Sequence, residues 1–205
     1  VTQVVSVPLV LFVHPSVPAR SVAEFVAYTK AQKNPVTYAS SGTGGGPHLA
    51  GELFASATGA RLLHVPYKGS GPAFVDLLSG QVAADFDSLV QGVPYVCNGQ
   101  LRALALLAPR RSELLPDVPT MGEVVPGYDV TNWYGMMAPA GTPPAIVNRL
   151  QQVVAQIMAK PEIRKRMIAE GVEPVASKPE EFGTFLKREI DRWAGAVKAA
   201  AIEPQ

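Results

Sequence analysis

A single cysteine, Cys97, stands among 205 residues, which excludes an internal disulfide and any zinc cluster built on several cysteines. The three histidines, His14, His48 and His64, are isolated and lack metal-ligand spacing, so neither a metal nor another cofactor is expected. Charge of one sign is equally scarce. Eighteen Lys and Arg against 17 Asp and Glu leave a net charge of +1, and the basic residues are scattered rather than banded. Nucleic acids and anionic membranes are therefore not expected partners. No apolar run reaches the roughly 18 residues of a membrane span, and the first residues do not read as a charged leader with a cleavage site.

What is present suits a globular core: 47% of residues are hydrophobic, enough for one large or two small domains. The hydrophobic period switches repeatedly between two and three-to-four. VVSVPLVLFVHP at 4–15 reads as extended, with Pro8 marking an edge, a bend or a crossing. Ser21, with Glu24 three positions on, caps a helix whose apolar face is Val22, Phe25, Val26 and Tyr28. VTYAS, LLHVPY, VAADFD and LRALALLA read as strands, and PHLAGELFASAT, GPAFVDLLS and LVQGVPYVCNG as the helices between them. That alternation predicts an α/β fold with mostly parallel sheets covered by helices on both faces. Residues 106–125 read as a proline-rich connector with one capped turn from Thr120 to Glu123. NWYGMMAP then reads as a strand. Helical segments follow at 143–159, 161–170 and 179–200, the first carrying a stripe of Leu150, Val153, Val154, Ile157 and Met158.

YASSGTGGGPH at 38–48 is the barest stretch of backbone in the chain. Four glycines surround Thr43 between a strand and a helix, at the carboxyl edge of the expected sheet. There the free N–H groups of a first helical turn and the positive end of its dipole form a ready anion site. The hydroxyls of Ser40, Ser41 and Thr43 add neutral donors. A P-loop needs Lys followed by Ser or Thr after the last glycine, and this chain has Gly46-Pro47-His48. A dinucleotide fingerprint needs a third glycine where Pro47 stands. A small carboxylate fits better than a nucleotide. Lys68, in the next equivalent loop, either adds a positive charge or is simply solvated. Asp87, at a strand end, either contacts the ligand or caps the following helix.

Ser41, His48 and Asp87 also compose an alternative, a small-molecule hydrolase, although no G-x-S-x-G elbow surrounds the serines; His64 reads as a structural histidine.

SSGTGGGPHLAGELF, HVPYKGSGPAFVDLLSGQV, LRALAL with RRSELLPDVPTMGE, WYGMMAPAGTP and PEEFGTFLKREIDRWAGAVKAAAI occur in order along essentially the whole chain. They resemble the successive signature blocks of the tripartite tricarboxylate transporter substrate-binding receptors, the Bug family. The resemblance implies a periplasmic, non-enzymatic receptor of the type II binding-protein kind. Two α/β domains would close over a small organic carboxylate (a dicarboxylate, amino acid or aromatic acid) and deliver it to a membrane permease; a sensory binding module is the other non-enzymatic alternative. It places a crossing strand at 1–11, a complete ligand-binding domain at 12–105, and the returning part of the first domain at 126–205. It also implies that the opening strand and Pro/Gly-rich loop of that first domain are absent, which leaves apolar faces available for self-association. The ligand-binding set is Ser40, Ser41, Gly42, Thr43, Gly44, Gly45, His48, Tyr67, Lys68, Gly69, Asp87 and Ser88, with no catalytic and no metal-binding residue.

Overall fold

Pro8 divides the opening extended run into two strands that enter different sheets. A computed structural model describes residues 1–128 and 130–199. In chain order the elements are β1 (Thr2–Val7), β2 (Leu9–Val13), α1 (Val22–Ala31), β3 (Val36–Ser40), α2 (Gly46–Thr58), β4 (Leu62–Pro66), α3 (Ser70–Leu78) and β5 (Ala84–Ser88). Then come α4 (Leu89–Cys97), β6 (Arg102–Leu107), α5 (Met121–Val124), β7 (Asn132–Met136), α6 (Pro144–Met158), α7 (Pro161–Ala169), β8 (Glu173–Pro174) and α8 (Pro179–Ala199). Residue 200, expected to end the last helix, lies outside the described residues.

The chain forms two compact units, one built on Val1–Val7 with Asn132–Ala194, the other on Pro8–Thr131. The larger unit holds a five-stranded sheet in the order β4-β3-β5-β2-β6. β3 runs parallel to β4 and β5, whereas β2 is antiparallel to both its neighbours, β5 and β6. Four strands therefore share one direction and β2 opposes them. Alternation along each strand sorts the side chains onto two faces. Tyr38 and Phe86 project on one face, where Phe86 packs against Phe54 of α2 and Phe54 against Phe25 of α1. Val10, Phe12 and Ala39 project on the other, in one cluster with Ala73, Phe74 and Leu77 of α3 and Leu89 of α4. Each large side chain buried this way stabilises the unit by roughly 1.5 to 3 kcal/mol.

Local chemistry sets the helix ends. The Ser21 hydroxyl accepts from the Glu24 N–H at 3.2 Å, while the Glu24 carboxylate turns to the N–H of Arg20 rather than completing the box on Ser21. Thr120 and Glu123 form the full reciprocal box. The proline-rich connector lies within the larger unit: Leu106 donates to the Pro119 carbonyl at 2.8 Å, and Leu115 and Met121 are buried.

In the smaller unit β1 pairs antiparallel with both β7 and β8, so both pairings depart from the parallel expectation. β8, two residues long, was not expected from the sequence. Trp133 meets Phe182 and Phe185 edge-on and donates its indole N–H to Glu189 at 3.1 Å. Of the stripe expected on α6, Val154 is buried while Leu150, Val153 and Ile157 are exposed.

Candidate functional site

Four parallel strands end at one edge of the five-stranded sheet, and three of them lead directly into helices. β3 leads into α2 on the Tyr38 face, whereas β4 and β5 lead into α3 and α4 on the Phe12 face. The connections thus depart in opposite directions beside β3, the arrangement that opens a ligand crevice at a sheet edge. None of the three helices has a side-chain cap at its N-terminus. Their helix dipoles point at this edge, and at α4 the Asp87 carboxylate and the Pro8 carbonyl already take the N–H groups of Ser88 and Leu89.

The 41–45 loop is the most exposed part of the edge. Thr43 and Gly44 face solvent, and Gly44 has φ +77°, a left-handed backbone that suits glycine. A Cβ at Gly44 would meet open space, so the loop surface there is bare main chain. The hydroxyls of Ser41 and Thr43 have no hydrogen-bond partner among the described residues. Ser40 differs. Strand alternation turns it to the α2 side, where it is fully buried with its Oγ 2.6 Å from Nε2 of His64 and accepting from the Gly42 N–H at 3.2 Å. Its hydroxyl holds the loop from beneath.

His48 does the same from the first turn of α2. Its Nδ1 accepts the Gly44 N–H at 2.9 Å, its ring stacks on His64 at 3.7 Å between centroids, and its Nε2 lies 3.8 Å from Glu52. Glu52 in turn accepts from the Tyr38 hydroxyl at 2.6 Å. Burial lowers the His48 pKa against the opposing pull of Glu52; burial, then the neighbouring His48, lowers that of His64 to about 4. Both rings are neutral at pH 7. His64 is structural, as its sequence position suggested, and its partners are Ser40 and His48; the Glu52 role was not expected from the sequence.

The adjoining loops bring in the remaining predicted residues. Gly69, at φ +107°, donates to the Ser41 carbonyl at 3.0 Å and ties the 67–69 loop to the glycine loop. Lys68 is exposed and has no ion pair among the described residues. Tyr67 donates to Asp76 at 2.6 Å, and burial followed by that bond pushes its pKa up to about 12. Ser88 stands at the N-cap of α4 and donates its N–H to Asp87 Oδ1 at 2.6 Å. Asp87 is buried, and burial raises its pKa although the polar groups of Ser70 and Ser88 act in the opposite sense.

The hydrolase constellation does not assemble. Asp87 projects from the face opposite to Phe86, which packs on α2, the helix that carries His48. No hydrogen bond joins Ser41 to His48 or Asp87 among the described residues. The close Ser–His pair is Ser40 with His64, and Ser40 is fully buried. A groove of about 630 Å³ lined by Ser21, Val26, Thr58 and Leu104 contains none of the predicted site residues.

The family described as the tripartite tricarboxylate transporter family receptor matches residues 1–202. The chain is 39% identical over 199 residues to Protein BugT of Bordetella pertussis, covering 97% of this chain and 61% of that relative. It thus spans less than two thirds of the relative's length. Among solved structures, R. palustris Rpa4515 with adipate is similar over 100% of this chain and 69% of its own, with a TM-score of 0.91 and 34% identity. MatC (Rpa3494) from Rhodopseudomonas palustris with bound malate is similar over 96% of this chain and 67% of its own, with a TM-score of 0.84 and 29% identity. No helix among the described residues is long and apolar enough to cross a membrane.

Proposed function

Because the chain belongs to the tripartite tricarboxylate transporter receptor family, we propose that it is the ligand-holding part of a periplasmic solute receptor. The carboxylate of a small organic acid rests on the 41–45 loop, and the loaded receptor serves a membrane permease. The observation that supports this reading most is the bare loop itself. The Gly42, Gly44 and Gly45 N–H groups brace the loop from within. That leaves the N–H groups of Ser41, Thr43 and Gly46 and the two unpartnered hydroxyls as its donors, at the uncapped N-terminus of a 13-residue helix and with no side chain on Gly44 to cover them. Neutral donors of this kind recognise a charged oxygen pair without a counter-ion, each charge-assisted bond contributing about 1.5 to 3 kcal/mol at best. Tyr67, Lys68 and Gly69 form the side of the site nearest α3; Asp87 and Ser88 form the side nearest α4. His48 and Ser40 act from below, as supports of the loop rather than as ligand contacts. The carboxylates named with the solved relatives, adipate and malate, agree with the chemical class.

Titration of the ¹⁵N-labelled chain with hexanoate, a ligand with one carboxylate, tests the reading. Saturable amide shifts centred on residues 41–46 are expected. Shifts spread evenly over the surface, or none up to the solubility limit, would overturn it.

A further inference from the structure

Two acids stand on the same face of β5, near the edge where the three helices begin, and neither has an ion-pair partner among the described residues. Asp85 is fully buried with both carboxylate oxygens lacking a hydrogen bond, and Asp87 is 3% exposed with Oδ2 lacking one. Ala39 and Phe12 flank Asp85 on the neighbouring strands. An ionised carboxylate buried without a partner is among the costliest groups a fold can hold, so each of these acids either keeps a proton or meets a cationic donor. The adjacent α3 offers the neutral hydroxyl of Ser70 to Asp87, and Asp76, whose carboxylate already accepts from Tyr67. Among the described residues no set of three His, Cys, Asp or Glu side chains is arranged to hold a metal ion.

Position connects this pair to the carboxylate loop. β3 and β5 are parallel neighbours with Ala39 opposite Asp85, so the loop that follows β3 and Asp87 near the end of β5 lie at the same edge of the sheet. Adjacent strands lie about 5 Å apart, so a ligand with a few bonds between its two charged groups spans from the loop to the acid. A hydroxyl supplies one hydrogen bond and leaves the negative charge uncompensated. An ammonium supplies three donors and the charge.

We propose that the Asp87 wall, with Asp85 behind it, takes the protonated amine of a ligand whose carboxylate sits on the 41–45 loop. On this assignment, which rests on the carboxylate reading above, the preferred substrate class is a short aminocarboxylate rather than a dicarboxylate. Asp87 makes the contact; burial and the charge of Asp87 favour the neutral form of Asp85 in the free chain, and an ammonium that neutralises Asp87 lets Asp85 ionise and add to the hold on the cation.

The test compares ligands of equal length on the ¹⁵N-labelled chain: 6-aminohexanoate against adipate, and 5-aminopentanoate against glutarate. The aminocarboxylates are expected to bind about tenfold or more tightly, with shifts at 41–46 and at 87–89. In the shape-conserving variant Asp87→Asn that preference should fall below about threefold, and Asp85→Asn should reduce it to an intermediate value. Equal or tighter binding of the dicarboxylates at the same amides would overturn the inference and leave the carboxylate loop standing. A preference that persists in both variants would also overturn it. Failure of every ligand to shift the 41–46 amides would overturn the carboxylate reading and this inference with it.

Discussion

The Gly44 N–H donates to Nδ1 of His48 at 2.9 Å, so the exposed loop and the first turn of α2 hold each other through one imidazole. A ring that accepts at Nδ1 carries its proton on Nε2, the nitrogen that faces Glu52 at 3.8 Å. The stacked His64 holds Ser40, and Ser40 holds Gly42, so two neutral histidines support two glycines of the same loop.

Replacing His48 with Phe keeps an aromatic ring against His64 but removes the acceptor. Loss of one bond of this kind costs about 1 kcal/mol. The Gly44 amide should then exchange with solvent about fivefold faster, and hexanoate affinity should fall by a similar factor. Unchanged exchange at Gly44 would show that the bond does not restrain the loop.

The His64 pKa is lowered to about 4, below its unfolded value of 6.5, so the folded state binds fewer protons than the unfolded chain. Its contribution is complete above pH 6.5 and is lost as the pH falls through about 4. The ring keeps some solvent contact, so about 1 to 2 kcal/mol is at stake rather than the roughly 3 kcal/mol that about 1.4 kcal/mol per pH unit gives over the whole shift. Urea titrations at pH 7 and pH 4.5 should show this loss in the native chain and a smaller one in His64→Phe. An equal loss in both would place the acid sensitivity elsewhere.

Asp85 has the opposite sign. Burial, reinforced by the charge of Asp87, raises its pKa well above 3.8, so the folded state binds more protons and stability declines as the pH rises above 3.8 through the folded pKa. Asp85→Asn removes that ionisation and should stabilise the chain at pH 7 by about 1 to 3 kcal/mol, read as a higher urea midpoint. A lower midpoint would mean that Asp85 has a partner its surroundings do not reveal. A stabilising loss of a native residue is the pattern expected where a group is retained for binding rather than for folding.

Core packing offers an independent control. A Cβ at Gly92 of α4 would come within 2.0 Å of the Phe12 ring. Gly92→Ala should therefore cost about 1 to 3 kcal/mol and lower Tm by about 2 to 4 °C for each of them. Full stability of the variant would show that α4 seats less closely on β2 than the structure has it.

Much of this architecture was legible from periodicity and capping. The strand-to-helix alternation, the capped turn at Thr120 and Glu123, the break at Pro8 and the glycine loop before α2 all rest on local chemistry, which a sequence displays directly. Strand direction does not. The reversal of β2 between β5 and β6 leaves no mark on hydrophobic period, and β8, with two residues, is too short to have one. The inward turn of Ser40 and the separation of Asp87 from His48 follow from strand parity, which fixes faces only after the neighbouring helices have been assigned to them. The stripe of Leu150, Val153 and Ile157 was legible as one face of a helix, and that face is exposed, in keeping with the uncovered apolar faces expected of the C-terminal helices.

The central claim is that the bare main chain of the 41–45 loop holds a carboxylate, and Gly44→Val tests it most directly. At φ +77° a β-branched residue is strained, yet its Cβ meets no atom within 4 Å, so the change acts on loop conformation and not on the core. Hexanoate titrations followed by the 41–46 amides should show affinity about tenfold weaker or lost, while the dispersed spectrum of both compact units is retained. A folded Gly44→Val variant that binds hexanoate as tightly as the native chain, with the same amide shifts, would contradict the account.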